Sequence, residues 1–217
     1  MASVELDRAR APDGAELVLY QRDDTFTIRV DGLELMTSMA HGSEAYLAEQ
    51  GCAGLPAAPR VLIGGLGMGF TLRAALDVLP PDAEVEVVEL VEAVVRWNRG
   101  PLAALGPVDD PRVHIRVDDV GAVLRAATPG RYNAILLDVD NGPVALTRPA
   151  NDGLYSAAGL EVAARALAPG GCLGVWSADP NPAFEARLAE ADLRVRADLV
   201  PARGRSGPIH TVFLARR

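Results

Sequence analysis

The chain has 217 residues, with a hydrophobic fraction of 49%, a charged fraction of 23% and a formal net charge of −8. That length fits one large domain, or a domain with a small appendage, and buries a substantial core without staples. The acidic balance, with no basic cluster, argues against nucleic acid as a partner, and no apolar run reaches membrane-spanning length.

Residues 1 to about 38 read as short strands. Ala15–Tyr20 and Thr25–Val30 flank the turn-rich Gln21-Arg22-Asp23-Asp24, and Asp31-Gly32 leads into Leu33–Met36. The opening Met1–Asp7 is acidic and has no apolar stretch, so a signal peptide is not expected and a cytoplasmic location is. Ser43–Gln50 reads as a helix that Gly51 ends, and Gly54–Pro59 reads as a linker. We expect a small N-terminal β-sheet domain over 1–40 and a second, larger domain over 41–217.

From there strands and helices alternate, which implies α/β architecture with a parallel sheet covered by helices. Val61–Ile63, Glu84–Leu90, Val113–Val117, Ala134–Leu137 and Cys172–Trp176 are the strand candidates. Helices are expected over Phe70–Leu79, Val91–Arg99, Val120–Ala127, Ala157–Leu167 and Pro182–Glu190. Pro169-Gly170-Gly171 is the stop signal of the fourth of these. Between Asp138 and Ala157 lies a long irregular connection, and Leu193–Val200 and Ile209–Leu214 close the chain.

The first of these strands runs into Gly64-Gly65-Leu66-Gly67-Met68-Gly69, four glycines within six positions. Missing Cβ atoms let a ligand approach the backbone, and the following helix start offers free N–H groups. A dinucleotide fingerprint G-x-G-x-x-G/A would need a small residue at position 70 or 72, where this chain has Phe70 and Leu72. An adenosyl ligand without pyrophosphate fits better, which disfavours NAD.

In open α/β sheets ligands lie at the carboxyl ends of the strands. The second core strand ends at Glu89, twenty residues after Gly69, where a carboxylate accepts from both ribose hydroxyls. The third ends at Asp118-Asp119, where one carboxylate is placed for an adenine amino group, although an acid there also serves as a helix cap. The fourth ends at Asp138, with Asp140 two residues on. Cys52 and Cys172 show neither metal nor redox spacing, and His41, His114 and His210 are scattered, so no metal site is expected. Trp97 and Trp176 read as packing residues.

The run from about Arg60 to Ser177 resembles the class I S-adenosylmethionine-dependent methyltransferase fold and, more closely, the spermidine synthase (polyamine aminopropyltransferase) family. The likeness is carried by Val61–Gly69, Val87-Val88-Glu89-Leu90, Asp110–Val113 with Val117-Asp118-Asp119, and Tyr132–Asp138. It implies a Rossmann-like, mostly parallel seven-stranded sheet with helices on both faces, preceded by a small N-terminal antiparallel β-sheet. It also implies Glu89 on the ribose, Asp119 on the adenine and Asp138 as the acid that activates the attacking amine. By its own chemistry, a carboxylate at 138 takes the amine's proton and attracts both the cationic amine and the positive sulfur.

The departures fall on the acceptor side. The family's Asp-Ser/Thr-Ser/Thr-Asp-Pro loop is Asp138-Val139-Asp140-Asn141-Gly142-Pro143 here. Its Tyr-His-Glu is matched only by Ala40-His41-Gly42, with Glu44 the next acid. A glutamine usual in the preceding strand is absent, with Glu34 nearby. His41, at the junction between sheet and core domain, Asp140 and Tyr155 are the candidate acceptor contacts.

The resulting expectation is a transferase acting on S-adenosylmethionine or its decarboxylated form, moving an aminopropyl or related group to a small amine. A methyltransferase on the same coenzyme, and a non-catalytic adenosyl-binding paralogue, are the alternatives. No metal, nucleic acid or membrane is expected, and the resemblance suggests a homodimer.

Overall fold

The structure of the protein, a computed structural model, describes residues 2–139, 142–143, 152–204 and 206–217. Four antiparallel strands form the first sheet: β1 (Val4–Arg10), β2 (Glu16–Arg22), β3 (Thr25–Val30) and β4 (Leu33–Thr37), in that spatial order. Asp23 and Asp31-Gly32 turn the hairpins at positive φ, which Asp and Gly reach at little steric cost. A helix, α1 (Gly42–Gly51), leads out of this sheet.

The second sheet has seven strands. Along the chain it is built from β5 (Arg60–Gly64), α2 (Phe70–Val78), β6 (Glu84–Glu89), α3 (Glu92–Asn98), β7 (Val113–Val117) and α4 (Val120–Ala126). Then follow β8 (Tyr132–Leu137), a short α5 (Asp152–Tyr155), α6 (Ala157–Ala166), β9 (Leu167–Ser177), α7 (Pro182–Glu190), β10 (Arg194–Arg203) and β11 (Ser206–Arg216). The spatial order is β10-β11-β9-β8-β5-β6-β7, with β9, β8, β5, β6 and β7 parallel and the β10–β11 hairpin antiparallel.

Two elements run differently from the sequence reading. Residues 169–171 lie inside β9 and do not merely end the helix before it. Tyr132 pairs with Leu167, the register then shifts, and pairing resumes at Ala134 with Cys172. Gly170, at φ 74°, absorbs the bulge. The closing hairpin is also longer than its apolar runs, because cross-strand pairing carries it past Val200 to Arg203.

Alternate strand residues feed two cores, as a sheet covered on both faces requires. Val61, Ile63, Val85, Val87 and Leu136 point toward α1, α2, α3 and the first sheet. Leu62, Val88, Ile135, Leu137 and Val175 point toward α4, α6 and α7. Burying each such Leu, Ile or Val contributes roughly 1.5–3 kcal/mol, so these central strands dominate the stability. The first sheet is held against α3 by Asp7, whose carboxylate accepts from Arg96 Nη2 (2.6 Å) and Trp97 Nε1 (2.7 Å). Those bonds, Arg96 first, hold the Asp7 carboxyl down at about 2.

Candidate active site

From β5 the chain proceeds to β6 and β7 on one side and to β8 and β9 on the other. The boundary between β5 and β8 is therefore the topological switch point, where an open α/β sheet leaves a crevice. Asp138 N donates to Gly64 O (2.8 Å), and Gly65 N donates to Val88 O (2.9 Å), so the glycine turn is laced to the end of β8 on one side and to β6 on the other. Gly65 holds φ 86°, and a Cβ there would collide with the Asp138 carbonyl oxygen. Asn98 supports the turn from α3 by donating to Gly67 O (2.8 Å).

Above this junction lies a cavity of about 370 Å³, walled by the first sheet on one side and the strand ends on the other. Its acidic lining is Asp13, Glu34, Glu44, Glu89, Asp118, Asp119 and Asp138; among the described residues no arginine lines it, and the chain has no lysine. Apolar contacts come from Leu17, Ile28, Val30, Leu35 and Met36 of the first sheet. Of these acids Glu44 and Glu89 are buried, whereas Asp118 and Asp119 pair with Arg116 and Arg125.

Glu89 is buried, and its two oxygens accept from Leu66 N and Val91 N, each at 2.8 Å. Burial raises its pKa, and these backbone bonds oppose the rise. The carboxylate thus shapes the turn and is also part of the cavity lining. Glu89→Gln would place an amide NH₂ against one of those N–H groups. The mismatch costs about 1–3 kcal/mol, so Glu89→Gln should unfold at a lower temperature than the parent in a thermal melt.

The acid pair after β7 divides its work. Asp118 Oδ2 accepts from Arg116 Nη2 (2.6 Å) and Oδ1 from Asp119 N (2.8 Å), and the latter bond foremost lowers the Asp118 pKa. Asp119 caps α4, accepting from Ala122 N (2.6 Å), while also lining the cavity. The cap and the cavity role therefore coexist in one residue.

Asp138 Oδ2 accepts from Thr71 Oγ1 (2.6 Å) at the first turn of α2. Its carboxyl is pushed up to about 7, chiefly by loss of water and secondarily by the charge of Glu44. Glu44 is buried on α1, and burial raises its pKa too. Ser43 Oγ lies 2.6 Å from Glu44 Oε2, 2.8 Å from His210 Nδ1 and 3.0 Å from Trp176 Nε1. Glu44, Trp176, His210 and Asp138 all line the same cavity.

Of the residues picked from sequence, Gly65, Gly67, Glu89, Asp118, Asp119 and Asp138 meet at this cavity. Gly64 and Gly69 do not line it. Gly64 packs against Leu137 and Val120, and Gly69, the N-cap of α2 at φ 80°, abuts Gly106 so closely that a Cβ would strike its Cα. Both serve close packing behind the turn. His41 is exposed at the start of α1 and stacks on Phe70 (4.4 Å, 18° between planes), outside the lining. Tyr155 is buried on the other side of the sheet, edge-on to Phe184 (5.6 Å) and away from the lining residues. Asp140 lies outside the described residues. Trp176, read as packing only, turns its ring to the cavity. Ser43, Thr71 and His210 were missed, since an isolated Ser, Thr or His carries no spacing signal; Glu44 was visible only as the acid nearest the junction.

No protein-family model matches the chain. The polyamine aminopropyltransferase of Mycobacterium tuberculosis H37Rv is 32% identical over 170 residues, covering 76% of this chain and 31% of that protein. Putrescine N-methyltransferase 1 of Nicotiana tabacum is 36% identical over 118 residues, covering 54% of this chain and 30% of that protein. The chain thus spans less than a third of the length of either relative. Spermidine synthase from Thermotoga maritima superposes with a TM-score of 0.80 at 19% identity, over 98% of this chain and 72% of that one. A probable spermidine synthase from Corynebacterium glutamicum gives 0.65 at 21% identity, over 97% of this chain and 79% of that one. The structural likeness establishes the shared fold, including both sheets. Taken with the aminopropyltransferase sequence to which three quarters of its residues align, it shows what this chain resembles: the spermidine synthase (polyamine aminopropyltransferase) family, on the class I methyltransferase-like fold.

Proposed function

We propose that the protein transfers an aminopropyl group from decarboxylated S-adenosylmethionine to a small amine. In this reading the amine nitrogen attacks the propyl carbon next to the sulfonium, and the carbon–sulfur bond breaks with its electron pair moving to sulfur. Methylthioadenosine leaves, and Asp138 takes the proton that the amine loses. Glu89 holds the ribose hydroxyls, Asp119 the adenine amino group, and Gly65 and Gly67 give the nucleoside room against the backbone. The lining carries the reading: it is rich in carboxylates and, among the described residues, includes no arginine or lysine, which suits a donor without a carboxylate of its own.

Incubation with each donor form and a panel of amines, followed by mass identification of the spent nucleoside, tests it. Amine-dependent methylthioadenosine is the expected product; S-adenosylhomocysteine would instead indicate methyl transfer, the chemistry named for the Nicotiana relatives. Binding of either nucleoside without turnover would mark a non-catalytic paralogue. A carboxylate titrating at about 7 gains its basic form as pH rises, so kcat should climb through that region. A rate that stays level between about pH 5 and pH 8 would remove Asp138 from the base role.

Division into a 1–40 sheet domain and a 41–217 catalytic domain, a cytoplasmic location and a homodimer belong to the same proposal. The dimer rests on the family resemblance, and sedimentation equilibrium tests it.

A further inference from the structure

The cluster beside Asp138 has more hydrogen-bonding order than a substrate wall needs. Ser43 Oγ has one proton to give and two lone pairs to offer, and it has three partners: Trp176 Nε1, Glu44 Oε2 and His210 Nδ1. Trp176 N–H can only donate, so it takes one lone pair permanently. Ser43 must then donate to one of Glu44 and His210 and accept from the other. Only two arrangements satisfy all the atoms. In one, Glu44 is protonated and donates to Ser43, which donates to an unprotonated His210 Nδ1. In the other, Ser43 donates to a Glu44 carboxylate and accepts from His210 Nδ1–H.

Conversion of the first arrangement into the second moves one proton from Glu44 to His210. The Glu44 proton passes to Ser43 Oγ as Ser43's own proton passes to Nδ1. The imidazolium so formed then gives up its Nε2 proton to water, which can reach a ring that is only half-buried. Serine remains a hydroxyl with its two bonds reversed, and a change of imidazole tautomer, Nδ1–H to Nε2–H by exchange with water, restores the first arrangement; no oxidant or co-reactant is involved.

We propose that Glu44, Ser43 and His210 form a proton path along the cavity wall to the half-buried His210 ring, carrying away the proton that Asp138 takes from the attacking amine. This rests on the transfer reading above. Asp138 and Glu44 face the same chamber, so the first leg crosses the cavity, and the second follows the bonds of 2.6 and 2.8 Å. Trp176, edge-on to His210 (4.7 Å between ring centroids, 69°), fixes the imidazole on the side of β9. The other charged group that acts on His210 is Asp179, just beyond β9, which favours the imidazolium against the effect of burial; the β10 partner across the ladder is Val200. Glu44 faces Asp138 and Ser43.

His210→Gln retains a hydrogen bond to Ser43 but cannot pass a proton along. Its kcat should fall about tenfold or more with the amine KM unchanged, and added imidazole should restore it saturably. Ser43→Ala breaks the chain upstream of the histidine, so its loss should resist imidazole. Parent-like kcat in His210→Gln, or imidazole failing to restore it, overturns the proposal. Should the parent release no nucleoside with any amine, the transfer reading itself fails, and the path is judged by titration. The chain has three histidines, so His210→Gln assigns the His210 ring signal in NMR spectra. Glu44→Gln should shift the midpoint of that signal; an unmoved midpoint overturns the linkage.

Discussion

Asp138→Asn is expected to lower kcat by roughly 10²–10⁴-fold, the range for loss of a positioned general base, while methylthioadenosine binds nearly as before. The amide is the same size and keeps an oxygen for Thr71 Oγ1, but it accepts no proton from the amine. Stability separates this loss from misfolding. The Asp138 carboxyl is raised from an ordinary 3.8 to about 7, so the folded state binds that proton more tightly than the unfolded chain. Its contribution to stability is therefore fully present below about 3.8 and is lost as pH rises through about 7. Above that pH the parent carries a poorly solvated charge which the Asn variant lacks. The variant should melt at the same or a higher temperature there while its turnover collapses. Full activity in Asp138→Asn would mean that another group takes the proton.

Gly65→Ala is the second large effect expected. Gly65 lies at φ 86°, where an alanine is strained by about 1–3 kcal/mol. The added Cβ would also meet the Asp138 carbonyl oxygen, which is backbone and cannot rotate away. Either β5 and β8 part at the switch point or the turn is remade, and both displace Asp138 relative to the nucleoside. Gly32→Ala supplies the comparison, since Gly32 has φ 82° but nothing within 4 Å of its Cβ position. It bears the conformational strain alone. Gly65→Ala should show a larger drop in melting temperature and loss of measurable methylthioadenosine binding, whereas Gly32→Ala should bind normally. Equal effects in the two variants would remove the steric contact as the reason for glycine at 65.

The helix that follows this turn shows how far a local pattern reaches. Phe70 breaks the dinucleotide fingerprint, and that much is visible in the chain itself. What its ring does instead is stack on His41, drawing that histidine away from the cavity wall. The His41–Phe70 contact joins α1 to α2, elements that periodicity lists in order but cannot place side by side. Tyr155 shows the same limit: an aromatic after a long connection reads equally well as pocket or core, and only packing on Phe184 decides it.

The alternation of strands and helices, the glycine turn and the acids at successive strand ends are legible in the chain alone. These are local facts: side-chain period, missing Cβ atoms and position relative to a strand terminus act over a few residues. The meeting of Ser43 and Glu44 of α1, Trp176 of β9 and His210 of β11 on the Asp138 side of the cavity emerges with folding. Hydrogen bonds between residues as far apart as 43 and 210 leave no period in the chain, because their geometry exists only once β11 has paired with β9 and α1 has packed against both.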